Sequence, residues 1–297
     1  MATFSEITDS TILYLHGFTT VQDQSTYLTQ SATDTDLTLK ISDTSAMSRG
    51  VVEIGDELLM IDSVDDVSLN MIVPPYGRGF RGTTAATHAS GERVISSPMF
   101  PRFLVKQAIN DSIRSVFPEL FAVAETTVTY TGAVNSYALP AGTLDILSVM
   151  WQTTGASKEW LPIRRWSLDR DASTGSFATG VSLSIYDGIV PGRTIKIVYS
   201  KEPTVLANDT DSFTTVTGLP GSCEDLVRLG AAYRMVPFFD AAHLSGMSSE
   251  ADFSAGARPV GGSSQLGRYM LQLYQLRLDE ERKGLQRIYP TRSHYTR

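Results

Sequence analysis

Catalysis at a protein site needs an activated nucleophile, a pair of carboxylates at working distance, or metal ligands at a recurrent spacing. The four histidines of this chain, His16, His88, His243 and His294, are dispersed. None stands in a His-Glu-x-x-His helix or a comparable ligand spacing, so each reads as an ordinary structural residue. Asp62, Asp65 and Asp66 crowd one turn but lack the distal Glu of a calcium loop, which favours a solvated turn. Asp145, Glu159 and Asp169 supply carboxylates without placing a pair at the separation a glycosidase requires. Cys223 lies beside a predicted helix start, where the helix dipole stabilises thiolate, yet no histidine partner accompanies it and the inert reading is preferred. The expectation is a non-enzymatic protein with no cofactor and no metal.

Residues suited to binding are more prominent. The run Tyr76-Gly77-Arg78-Gly79-Phe80-Arg81-Gly82-Thr83-Thr84 joins three glycines to two arginines. It lacks the Gly-Lys-Ser/Thr ending of a phosphate-binding loop and does not match the dinucleotide fingerprint. It reads as a glycine-shaped turn that puts Arg78 and Arg81 on a surface facing a partner. Trp151, Trp160 and Trp166, with Tyr186 and Tyr199, fall in one β-rich region. Core or subunit interface is favoured over a sugar platform, because each tryptophan buries a large apolar area. The C-terminus carries Arg282, Lys283, Arg287, Arg292 and Arg297 with no acidic residue among them, interleaved with Tyr289 and Tyr295. In a chain of net charge −7 this is a local basic feature, fit for phosphate or for an acidic groove on another protein.

The elements that must position these residues follow from period. Over 12–97, short runs alternate with period two, including 37–41, 50–54 and 57–61, each bounded by Asp, Gly, Ser or Pro. Gly55-Asp56 between two runs predicts a tight hairpin. After Pro98 and Pro101 the period becomes helical, with Val105, Ile109, Ile113, Val116, Phe117 and Leu120 on one face and Pro118 limiting the helix. Strand patterns return at 126–130, 136–139, 144–151, 181–186 and 194–199, about five strands separated by turn residues. Beyond Pro220 a helix is predicted with Ser222 as N-cap and Asp225 at capping-box spacing. A Ser-, Gly- and Ala-rich loop over 245–264 then precedes a last helix from Gln265 to before Pro290.

The resulting class is α+β: an N-terminal all-β domain over 1–98, then a domain over 99–297 with helix 102–120, an inserted antiparallel β-unit 126–205, helices over 222–289 and a basic tail 282–297. A length of 297 residues suits two domains. The acidic balance excludes a protein that coats nucleic acid over its whole surface. A lone cysteine excludes an intrachain disulfide, and the absence of a signal-peptide pattern or apolar span predicts synthesis in the cytoplasm without membrane association.

Residues 76–94 resemble the RG-x-x-GT-x-A-x-x-H-x-x-G segment common in small β-domains of phage virion proteins, and 53–61 belong to the same pattern. The element order over 103–120, 128–199 and 222–289 is similar to that of phage head-to-tail adaptors, particularly those of short-tailed phages. That resemblance implies an adaptor-like fold, a roughly twelve-fold ring beneath the portal in the virion neck, and a lumen that passes the DNA. It implies portal, tail and nozzle or stopper proteins as partners, with transient contact to DNA. Residues 282–297 would be the tail that docks on the portal. The added N-terminal domain departs from the smaller adaptors and would decorate the ring or hold tail fibres or spikes. The alternative weighed against this is a tail or baseplate protein that binds a host surface glycan through the tryptophan-containing β-unit.

Overall fold

The computed structural model describes residues 2–19, 22–154, 158–236 and 262–290, without the side chains of 262–265. The chain divides into two compact units that interleave along the sequence: Thr3–Ser112 with Asp225–Tyr274, and Met1–Ala2 with Ile113–Glu224 and Gln275–Arg297. The period change at 98 and 99 thus lies within the first of these.

That first unit opens with a helix, α1 (Phe4–His16), where the strand-like composition predicted none. Thr3 and Glu6 form a reciprocal capping box, Thr3 accepting from the Glu6 amide at 3.3 Å and Glu6 accepting from the Thr3 amide at 2.8 Å. The buried face combines Phe4, Ile7 and Leu15 with Thr8 and Thr11, whose hydroxyls donate at 2.7 Å to the carbonyls of Phe4 and Ile7. Short strands follow: β1 (Gln24–Tyr27), β2 (Thr38–Lys40), β3 (Gly50–Ile54), β4 (Glu57–Ile61), β5 (Ser63–Asp65), β6 (Asn70–Ile72) and β7 (Arg93–Ser96). They build one sheet in the order β1-β7-β3-β4 and another in the order β2-β6-β5. The β3–β4 hairpin closes on the pair Ile54 and Glu57, with Gly55 at φ 59 in its two-residue turn. Ile41, Val52, Ile54, Leu59, Ile61, Met71 and Val94 form the core.

The helix predicted over 102–120 is α2 (Arg102–Ser115), shorter at its C-terminus; Val116 and Leu120 stay buried in the turns leading to and following Pro118. In the second unit come β8 (Ala122–Thr129), β9 (Ser136–Ala138), β10 (Asp145–Gln152), β11 (Trp160–Pro162), β12 (Trp166–Asp169), β13 (Ser182–Ile185) and β14 (Thr194–Lys201). The β-unit therefore exceeds the expected five strands, because β11 and β12 are too short to announce themselves by period. The strands form two antiparallel sheets, β11-β10-β14-β8 and β12-β13-β9, sharing a core of Tyr137, Val149, Leu183, Ile185, Ile195 and Ile197. A short helix, α3 (Phe213–Thr217), ends at Gly218 with φ 73. Then come α4 (Cys223–Met235) and the long α5 (Gly262–Ile288). Most of the loop predicted over 245–264 lies outside the described residues. The class is α+β, as the alternation of periods implied.

Candidate functional site

The glycine–arginine motif folds around a carboxylate. β4 begins with Glu57, whose side chain points inward and is 0% exposed. An unsatisfied buried carboxylate is costly, so the chain must return donors to it. After β6 the backbone passes so close to β4 that a Cβ at Gly77 would stand 2.6 Å from the Met60 carbonyl. The Gly77 carbonyl accepts the Met60 amide there at 2.8 Å. Gly79 at φ 60, Arg81 at φ 56 and Gly82 at φ 85 then curl the segment, turning Arg78 inward.

Arg78 donates from Nε to Glu57 Oε1 at 2.8 Å and from Nη2 to Oε2 at 2.9 Å. Its other donors reach the carbonyls of Thr33 at 2.6 Å, Asp36 at 2.9 Å and Ala86 at 2.7 Å. All five guanidinium N–H groups are thereby used. Glu57 also accepts the amides of Gly79 and Ala86, both at 3.0 Å, and meets His88 Nε2 at 2.9 Å. His88 Nδ1 lies 2.9 Å from Glu92 Oε2. Burial alone would raise the Glu57 carboxyl, but the bonds from Arg78, His88, Ala86 and Gly79 outweigh it and hold it at about 2. Burial likewise opposes charge on His88, yet Glu57 and Glu92 raise its pKa above the ordinary value. Arg78, Glu57 and His88 thus form one buried network, with the partly exposed Glu92 at its outer end.

This corrects the sequence reading of Arg78. Its side chain is 6% exposed and spends every donor within the protein, so it presents nothing to a partner. Arg81 is exposed, stacked over Phe80 at 5.6 Å from the ring centre. The motif's glycines, arginine, threonine and histidine are thus accounted for by architecture: Thr83 Oγ1 accepts the Leu58 amide at 3.1 Å and His88 closes the network.

A second buried carboxylate, Glu53 on β3, accepts the Arg102 amide at 2.6 Å, where α2 begins. Burial raises it to about 7; the Arg102 amide and charge act against this, while Asp23 and Asp56 add to it. Glu53 lines a cleft of about 1120 Å³ with Asp9 and Leu13 of α1, Asp23, Ile95 and Arg102. Sequence reasoning overlooked Glu53, whose place in an apolar alternating strand was the available sign.

At the C-terminal end the basic residues divide. Arg282 and Lys283 are not part of an extended tail: α5 runs unbroken through Ile288. Arg282 meets Glu119 at 2.9 Å and Asp279 at 2.8 Å, while Lys283 meets Asp279 at 2.5 Å. Arg287 is exposed and has no ion-pair partner among the described residues. Arg292 and Arg297, like His243, His294 and Tyr295, lie outside the described residues. Tyr289 lines a groove of about 490 Å³ with Val123 and Glu125 of β8, Ser148 and Met150 of β10, and Lys196 and Val198 of β14. Upstream, α4 starts directly after Ser222, whose Oγ donates to Glu281 Oε2 at 2.7 Å, and Arg228 donates to Asp225 Oδ1 at 2.8 Å.

The other candidates resolve similarly. Burial, reinforced by Glu281, pushes the Cys223 thiol up to about 12, opposite to activation. Asp65 accepts the Val67 amide at 3.0 Å in its own turn, Asp62 pairs with Arg49 at 3.3 Å, and no metal-binding group of three appears among the described residues. Asp145 faces Arg170 at 3.6 Å. Trp151 and Trp166 pack against the core of the β-unit, leaving Trp160 as the exposed member of the three. No helix among the described residues is long and apolar enough to cross a membrane.

Buried ion pairs lock the loop after β6, and ion pairs hold the end of α5. Residues 85–279 match the SU10 adaptor protein family, and the chain belongs to that family of phage structural adaptors. The match begins at Ala85 within the locked loop and stops at Asp279, so β1–β6 and Arg282, Lys283 and Arg287 lie outside it. No curated protein matches the sequence.

Proposed function

We propose that this adaptor forms an oligomeric ring of roughly twelve copies in the neck of the virion, joins the portal to the tail and passes DNA through its lumen. The family match over 85–279 carries this reading. Closed rings need a repeated head-to-tail contact, and the resemblance of element order to short-tailed-phage adaptors supplies the expected arrangement. The exposed cations at the end of α5, Lys283 and Arg287, continue in sequence to Arg292 and Arg297 and suit an acidic portal groove or transient contact with DNA. Arg282, held by Glu119 and Asp279, supports the helix end from which they project. The region over 1–98, mostly outside the match, serves as an attachment module for tail fibres or spikes, with Arg81 on its partner surface. Nozzle or stopper proteins complete the lower contact. No catalytic step is part of this role.

The test is electron microscopy of the purified full chain, alone and mixed with portal protein. Rings are the expected result in at least the mixture. A monomer under both conditions overturns the proposal.

A further inference from the structure

Strand edges are where sheets recruit other chains, and folded proteins usually cover or blunt them. In this protein the edge of β4 is covered by the locked loop, Gly77 accepting the Met60 amide at 2.8 Å and Thr83 the Leu58 amide at 3.1 Å. The edge of β1 is covered by Ser42, whose amide donates to the Tyr27 carbonyl at 2.9 Å. β8 differs. It pairs with β14 at every position from Ala122 to Thr129 without a bulge, yet it is terminal in its sheet. No backbone bond reaches its outer side among the described residues. Its sequence, Ala-Val-Ala-Glu-Thr-Thr-Val-Thr, contains no proline or lysine. Its one charge, Glu125, is matched by Lys196 at 2.7 Å.

The opposite edge of the same sheet is β11, and its outer side also lacks a backbone partner among the described residues. It displays Trp160 and Leu161, 36% and 38% exposed. Lys158, Arg164 and Arg165 stand exposed around it against Glu159 and Asp187, whose carboxylate accepts the amides of Arg164 at 2.8 Å and Arg165 at 3.2 Å, while β8 offers Glu125 with 64% of its side chain exposed. One edge is long and slightly acidic; the other is short, apolar and set among cations.

We propose that β8 of one copy adds to the β11 edge of a neighbouring copy, so that the four-stranded sheet continues from subunit to subunit. The inference rests on the ring reading and specifies its interface: joining two different edges is a head-to-tail contact, the kind that closes a ring. Main-chain hydrogen bonds supply affinity, and burial of Trp160 and Leu161 beside Glu125 supplies register. Pro162 ends the paired stretch, since it lacks an amide hydrogen.

The experiment places cysteines at the two edges of the full chain on the same face of the sheet, Thr126→Cys with Leu161→Cys, and oxidises the assembled protein with and without portal. Buried Cys223 contributes no background. The expected result is a ladder of covalent oligomers on non-reducing gels from the double variant, at least tenfold above either single variant, with an unchanged thermal melt. Rings without a ladder overturn this interface and leave the ring standing. Dimers from Thr126→Cys alone overturn it in favour of a two-fold β8 contact. If no ring forms in any condition, both readings fall.

Discussion

Arg78 and Glu57 meet edge to edge inside the N-terminal sheet region, Nε to Oε1 at 2.8 Å and Nη2 to Oε2 at 2.9 Å, with side chains 6% and 0% exposed. The pair explains why the loop after β6 is rich in glycine. A backbone that must aim two amides and a guanidinium at one carboxylate has to turn through left-handed conformations, which glycine adopts without steric cost.

Breaking one member of this pair leaves the other buried and uncompensated. Glu57→Ala and Arg78→Ala are each expected to destabilise the fold by about 3–5 kcal/mol. Arg78→Lys should recover little, because an ammonium cannot reproduce the planar fork. The neighbouring Arg81→Ala, on an exposed side chain, should stay within about 0.5 kcal/mol of the parent. Urea unfolding of the four variants decides this; equal costs for Arg78 and Arg81 would show that the network contributes little.

The same groups set a pH profile. Glu57 has a folded pKa of about 2 against 4.5 ordinarily, so its contribution is present above 4.5 and is lost as pH falls toward 2. His88 is raised above 6.5, so its contribution is complete below 6.5 and is lost as pH rises through the folded value. Glu53 is raised from 4.5 to about 7, so the fold favours its neutral form, and that stabilisation is lost between those values as pH rises. The urea midpoint should peak at about pH 5 and decline on both sides. Glu53→Gln should flatten the decline up to neutrality, while His88→Gln should lower stability outright and flatten the limb above it. A midpoint that rises steadily from acid to alkaline pH contradicts the assignments of Glu53 and His88, and one that does not fall as pH drops from 4.5 toward 2 contradicts that of Glu57.

Much of the architecture was legible where period was long and composition unambiguous. β3, β4 and the hairpin at Gly55 follow from alternation, and α2 from its apolar stripe. α1 was hidden because two of the five residues on its buried face are threonines, and Thr8 and Thr11 are compatible with a helix interior here because their hydroxyls bond back to Phe4 and Ile7. The capping pair Thr3 and Glu6 was the readable sign. The locked loop was visible as a motif, but its purpose was not: nothing local tells that Arg78 turns inward, since its partner Glu57 lies 21 positions earlier, at the start of β4, with β5 and β6 still to come. The helix over 282–288 follows from the predicted span to Pro290, whereas the pairing of Arg282 with Glu119 was not legible, because 163 positions separate the two in sequence.

Gly230 on α4 tests how closely two helices approach. A Cβ there would lie 2.2 Å from Ser112 Oγ on α2 and 2.9 Å from Tyr274 Cε2 on α5. Alanine within a helix ordinarily gains up to about 1 kcal/mol over glycine. The clash should reverse that sign and cost about 1–3 kcal/mol. Ser112→Ala in the same chain should restore part of the loss, because it removes the atom nearest the new methyl. A thermal melt of the two single variants and the double variant measures the coupling; a stabilising Gly230→Ala would mean that the helices separate at little cost.

The division among the C-terminal cations sharpens where attachment should be disrupted. Cutting the chain before Arg282 removes its bonds to Glu119 and Asp279, together with Tyr289, which lines the groove beside β8, so loss of portal binding would be confounded with loss of structure. Ending the chain after Pro290 spares all of these and removes Arg292 and Arg297. Lys283→Glu with Arg287→Glu reverses two exposed charges, at the cost of the solvent-facing bond between Lys283 and Asp279. Such an exposed pair is worth about 1 kcal/mol or less. If these cations dock on an acidic partner, the truncation and the double reversal should each weaken portal binding at least tenfold while shifting the melt only slightly. The binding that remains should lose its dependence on salt, which screens exposed charges within about 10 Å at 0.1 M. Co-sedimentation with portal across a salt series reads both effects. Unchanged binding by the double reversal would move the docking surface away from the end of α5.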